Sequence, residues 1–172
     1  MKMLQTERLL LRPFTPNDSA FILELLNTEG WIKFIGDRNV RTTEQAKNYI
    51  ENGPIKSYRV NGLGLSLVEV KGSNRSVGMC GLLQRDYLDY PDLGFAFLPG
   101  ETGKGYAHEI AKAVVDYAFG QLKAEKILAI TLPENIRSVN LLQKLGFRYE
   151  RDFITKDTNE TLSLYSLGIN QS

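Results

Sequence analysis

Leu98-Pro99-Gly100-Glu101-Thr102-Gly103-Lys104-Gly105-Tyr106-Ala107 decides how the chain is read, because the hydrophobic period changes across it. Before it, Asp92–Leu98 alternates, with Leu93, Phe95 and Phe97 on one face, as a half-buried strand does. After it, Ala107, Ile110, Ala111, Val114, Val115, Ala118 and Phe119 recur at helical spacing, while Glu109, Lys112 and Asp116 lie opposite at spacings that allow ion pairs. Glycines between a strand and a helix let the backbone turn sharply and approach a ligand closely. The unpaired N–H groups of the helix's first turn, together with its dipole, then form an anion site suited to a diphosphate. A helix-opening loop without a ligand would carry the same glycines, so the loop alone leaves both readings open. Two nucleotide fingerprints fail. A Walker-type loop needs glycine where Leu98 stands and Ser or Thr where Gly105 stands, and G-x-G-x-x-G would have to end on glycine at His108.

Outward from the loop, strand and helix signals alternate, which implies a layered α/β or α+β domain over 1–172. Thr6–Phe14 reads as a first strand. Thr15-Pro16-Asn17-Asp18 opens a helix with Phe21, Ile22, Leu25 and Leu26 inward. Thr42-Thr43-Glu44-Gln45 is a capping box before a second helix, with Ala46, Tyr49 and Ile50 inward and Gly53-Pro54 as its end. Gly62–Lys71 and Val77–Gln84 form an antiparallel pair around Gly72-Ser73-Asn74. Lys126–Leu132 is nearly continuously apolar, as a strand covered on both faces should be. Asn135 caps a helix that ends at Leu145-Gly146, and strands Phe147–Thr155 and Thr161–Ile169 close the chain.

Composition excludes several classes. A net charge of +1 does not suggest a nucleic-acid binder working through bulk positive charge. The single Cys80 permits no internal disulfide, and one cysteine with one histidine, His108, makes a protein-only zinc site implausible, so no metal is expected. The apolar run Leu9–Leu11 is too short for a signal peptide or membrane span, so a cytoplasmic protein with no membrane partner is the expectation.

Four motifs, taken in order, resemble the GNAT superfamily of N-acetyltransferases, and within it the branch typified by the RimJ and RimL protein N-terminal acetyltransferases. They are Thr6-Glu7-Arg8-Leu9-Leu10-Leu11-Arg12-Pro13 with Asp18, then Leu93-Gly94-Phe95, then Gly103-Lys104-Gly105-Tyr106-Ala107 with Glu109, then Asn135 and Ser138 before Leu145-Gly146-Phe147. The resemblance implies a mixed, mostly antiparallel twisted sheet of about seven strands flanked by about four helices, with a splayed parallel pair at the cofactor site. It also implies that acetyl-CoA is a co-substrate. Its contacts would fall on Phe97, Leu98, Gly100, Thr102, Gly103, Lys104, Gly105, Tyr106 and Ala107, and on Asn135 and Ser138. Two positions depart from the family. Gly100 stands where its loop usually has Gln or Arg, a small loss if backbone N–H groups do the binding. Leu142 stands where many members carry the tyrosine that protonates the leaving thiolate.

The implied reaction is attack of an amine on a thioester, with a backbone N–H near Phe97 holding the developing oxyanion. A thiol has a pKa of roughly 8.5, so its thiolate leaves readily and loss of the tyrosine is tolerable. Ser138 is the substitute that the resemblance offers, and its alternative is a plain first-turn helix residue. Asp92 and Asp89 are candidate bases or solvated turn residues. An α-amine, at roughly 7.7–8.0, needs little help to lose its proton, whereas a lysine amine at about 10.4 needs much more. Trp31 and Phe34, with Ile35, follow the first helix where the family forms its acceptor pocket, and packing would also explain them. The acceptor stays open among a ribosomal protein N-terminus, a polyamine, an aminoglycoside and a small metabolite amine, on a monomer or homodimer. The rival reading is a non-catalytic acyl-CoA sensor, with a nucleotide-binding protein third.

Overall fold

The computed structural model describes residues 3–156 and 158–168. Eight strands form one sheet: β1 Leu4–Gln5, β2 Leu9–Arg12, β3 Leu65–Val70, β4 Arg75–Leu83, β5 Asp92–Phe97, β6 Lys126–Thr131, β7 Arg148–Ile154 and β8 Thr161–Gly168. Their order is β1-β2-β3-β4-β5-β6-β8-β7. Every neighbouring pair is antiparallel except β5 and β6. That parallel pair meets at one position, Asp92 opposite Leu128, where the Leu128 amide donates to the Pro91 carbonyl at 2.9 Å. Beyond it the described residues of the two strands share no ladder pair, so a cleft opens toward their C-terminal ends.

The sheet is covered on both faces. On one lie α5 Tyr106–Gly120 and α6 Ile136–Lys144. Ile110, Ala111, Val114 and Ala118 of α5 pack there with Leu142 of α6 against Cys80, Leu82, Leu93 and Ile127. On the other lie α1 Ser19–Leu26, α2 Glu29–Phe34 and α3 Thr43–Ile50, whose Ile22, Leu25, Trp31, Ala46 and Ile50 close on Leu67 and Met79. This division follows the strand alternation read in β5, where Leu93, Phe95 and Phe97 join the first core and Ala96 the second. Burial pushes the Cys80 thiol up to about 12, so it is a small core group and not a nucleophile.

The caps explain most boundaries. The Thr42 hydroxyl accepts from the Gln45 amide, and the Gln45 side chain answers at the Thr42 amide, which starts α3. Asn135 accepts from the Ser138 amide at 3.3 Å, and Gly146 at φ +91° lets the chain leave α6. One expected boundary is overturned. The second helix does not end at Gly53-Pro54 but runs through a π turn, Glu51–Ile55, into α4 Lys56–Asn61 and stops at left-handed Gly62. Proline lacks an N–H and clashes with an α-helical carbonyl behind it; the wider turn accommodates both defects. The two-residue β1 and the Thr28-capped α2 were also unexpected, which makes eight strands where about seven were read. Ile169, assigned above to the last strand, lies outside the described residues.

Candidate active site

The glycine loop is held open by backbone geometry. Gly103 and Gly105 both have φ +80°, a region that side chains rarely adopt, and Gly105 is the residue from which α5 starts. The Glu109 amide is the first in α5 to close a helical bond, donating to the Gly105 carbonyl at 3.0 Å. Among the described residues, the amides of Gly103, Lys104, Gly105, Tyr106, Ala107 and His108 have no protein acceptor. Six consecutive unsatisfied donors at the positive end of a fifteen-residue helix form a nest for an anion.

A tether that the sequence reading did not foresee fixes this loop. The Glu109 carboxylate accepts from the Thr6 hydroxyl at 2.6 Å, the Arg8 amide at 2.9 Å and Arg8 Nε at 2.6 Å. Arg8 also donates to the Lys104 carbonyl at 3.0 Å and lies over the Tyr106 ring, 4.8 Å from its centroid. The segment between β1 and β2 is thereby tied to the loop, and the Lys104 carbonyl is taken up by Arg8. Burial opposes the Glu109 charge, but the Thr6 and Arg8 donors hold its carboxyl below the usual glutamate value. On the loop's other side Thr102 donates to the Pro99 carbonyl at 2.8 Å, and Glu101 pairs with Arg75 and Lys104.

The cleft supplies the second part. The Leu98 amide donates to the Val77 carbonyl on the β4 side, so strand alternation turns the Phe97 amide to the opposite, unpaired edge. The Pro91 carbonyl, bonded to β6, obeys the same alternation. Gly78 gives the Phe97 ring its room, since a Cβ there would stand 2.5 Å from it. A cavity of about 740 Å³ occupies the opening between β5 and β6, walled by Asp92–Ala96 and Ala129–Leu132.

The structure brings Trp31, Phe34, Asp92, Asn135 and Ser138 to this cavity. Trp31 is buried and its ring nitrogen donates to the Gly36 carbonyl at 3.0 Å, so packing fixes it as part of the wall. Ser138 stands on the first turn of α6, and its hydroxyl has no protein partner among the described residues. Asp92, only 1% exposed, sits at the foot of the cleft where the strands touch. Both its oxygens accept from Arg85 Nε, at 3.0 and 3.1 Å. Burial pushes its carboxyl above the ordinary aspartate value while Arg85 opposes the shift. Asp89 is exposed and outside the lining; Tyr149, exposed, and Tyr165, buried in the core, also lie outside it and face each other edge-on. Phe97, Leu98, Gly100, Thr102, Gly103, Lys104, Gly105, Tyr106 and Ala107 lie outside the cavity lining. His108 lines a separate open groove with Arg8, Lys112 and Lys144. Leu142 is buried in the wall where the family phenol would stand.

Residues 8–148 match the acetyltransferase (GNAT) domain family. An uncharacterized N-acetyltransferase of Bacillus subtilis, YoaA, is 28% identical over 149 residues, covering 86% of this chain and 83% of that one. A Bacillus anthracis acetyltransferase of the GNAT family superposes with a TM-score of 0.82 at 27% identity, over 97% of this chain and 98% of its own. A Vibrio fischeri ribosomal-protein-S5-alanine acetyltransferase covers both chains fully with a TM-score of 0.81, and at 18% identity shows the fold alone. The splayed strands, the amide nest at the head of α5 and the family match over most of the length agree: the chain belongs to the GNAT acetyltransferase family.

Proposed function

We propose that the protein transfers the acetyl group of acetyl-CoA to a primary amine, and that it sits near the RimJ and RimL branch. The observation that carries this is the row of six partnerless amides from Gly103 to His108, at the head of α5 and next to the open edge of β5. A diphosphate fits the row, and an extended amide-bearing arm fits the unpaired edge. When bound, acetyl-CoA supplies an acyl carbon attached to a good leaving group. The loop amides bind the phosphates. The Phe97 amide holds the acyl oxygen, and one such donor is typically worth on the order of 10²–10³ in rate. The Ser138 hydroxyl, without a partner of its own, holds a proton near the departing sulfur. Asp92 anchors Arg85 at the foot of the cleft and accepts a proton through water. Trp31 and Phe34 wall the acceptor side.

Thiol release from acetyl-CoA with a panel of amines and peptides tests the transfer, and calorimetry with CoA tests the cofactor. Absence of CoA binding at millimolar ligand defeats the proposal, and preference for ATP or NAD redirects it. The buried Leu142 favours one rival, an acyl-CoA sensor without chemistry. CoA binding without thiol release across the panel would establish that rival.

A further inference from the structure

The cavity has a charge sign. Arg38, Arg85, Arg151 and Lys156 line it, against Asp92 and Glu160. Arg85 and Asp92 pair with each other, while Glu160 accepts from the Thr158 hydroxyl at 2.8 Å and keeps its charge. Arg38, Arg151 and Lys156 have no carboxylate within ion-pair distance among the described residues. They come from two separate segments: the α2–α3 loop, and strand β7 with the turn after it. The chain as a whole is close to neutral, so a local excess of unpaired cations in one cavity is not a reflection of composition.

Physical chemistry restricts what such a wall accepts. A polyamine or an aminoglycoside brings several positive charges and would meet three unpaired cations against the one carboxylate of Glu160. An amine that also carries a carboxylate meets the opposite situation, because an arginine fork matches a carboxylate with two parallel donors. Part of the remaining wall is apolar and aromatic, with Trp31, Phe34 and Tyr49 beside Leu65 and Met79. The cavity also includes the cleft that the cofactor arm would take, so what is left suits a small molecule. The same cations disfavour an ammonium, which helps the acceptor nitrogen reach its neutral, nucleophilic form.

Resting on the transfer function proposed above, we infer that the acceptor is a small amine bearing a carboxylate and an apolar body, as in a free α-amino acid with an apolar side chain. Its nitrogen forms a bond to the acetyl carbon as the carbon–sulfur bond breaks. One proton leaves the nitrogen and one ends on the sulfur, with no other reactant.

A matched series tests this: phenylalanine, phenylalaninamide, phenethylamine and spermidine, each followed by thiol release from acetyl-CoA and by calorimetry on the CoA-loaded protein. The expected result is that phenylalanine binds and reacts at least tenfold better than its amide, with spermidine poorest. Arg38→Gln and Arg151→Gln, both exposed positions, should each reduce the acid-to-amide preference several-fold. Faster turnover of spermidine or of the amide overturns the anionic acceptor and leaves the transfer function standing. Selective binding of phenylalanine without thiol release overturns the transfer function, and leaves only a site selective for a carboxylate-bearing ligand. A preference unchanged in both variants, or no binding by any of the four, overturns the anionic acceptor.

Discussion

At Gly105 two constraints coincide. Its φ of +80° is unfavourable to any side chain, and a Cβ there would stand 3.3 Å from an Arg8 nitrogen. The left-handed region costs an L-residue roughly 1–2 kcal/mol, so Gly105→Val should lower stability by about that amount. Its effect on CoA should be far larger, because the loop amides lose their aim. Thermal melts beside CoA titration check this, and equal losses in the two would mean that the glycine serves packing alone. Ser138 marks the other end of the scale. In the proposed transfer its hydroxyl would assist a thiolate that is already stable near neutral pH, so Ser138→Ala should reduce kcat/KM about tenfold, or roughly 1.4 kcal/mol. Reactant positioning can supply on the order of 7–11 kcal/mol, which ranks the loop well above the serine. A Ser138→Ala loss above about a thousandfold, with α6 intact by circular dichroism, would reverse that ranking.

Among the elements, the head of α5 depends on a partner 101 residues earlier, since Arg8, just before β2, is bonded to Glu109. Glu109→Gln keeps the shape and removes the charge. With the Arg8 side chain 44% exposed, the melt should fall by only about 1 kcal/mol, while CoA affinity drops because the Lys104 carbonyl is no longer held aside. An unchanged CoA affinity would show the tether to be structural only. Local elements were legible beforehand where the signal was local: the Thr42 cap, the α5 stripe, the Asn135 cap and the Gly146 stop all depend on residues within a turn or two. Pro54 misled because its usual effect is to end a helix, and the π turn that rescues it has no sequence signature. The loop and the cavity residues Asn135, Ser138, Trp31 and Phe34 were named from motifs. Arg38, Arg85, Arg151 and Lys156 were not, because only the folded sheet brings such distant segments to one wall.

For the whole molecule, acid is the informative stress. Asp18 is partly buried, which opposes its charge, yet Arg12 at 2.8 and 3.0 Å and the Thr15 amide hold its carboxyl below the usual value. Glu109 is held low in the same way. Such groups stabilise the fold fully above their unfolded values, near 3.9 for Asp and 4.3 for Glu, and lose that contribution as pH falls through their folded values. Asp92 runs oppositely: its raised carboxyl costs stability at neutral pH, and the cost eases as acid approaches its folded value. Melting temperatures should therefore change little from about pH 7 to 5 and fall steadily below about 4. A flat profile to pH 3 would show the Arg12 and Arg8 pairs to be unimportant. The single contact between β5 and β6 has a mechanical meaning as well. A sheet joined across its middle by one rung is two plates on a hinge, and whatever lies along the gap acts as a removable ninth strand. Occupancy at a hundred times Kd adds about 2.7 kcal/mol to the whole fold, and amide exchange should slow first along the two lips of the gap.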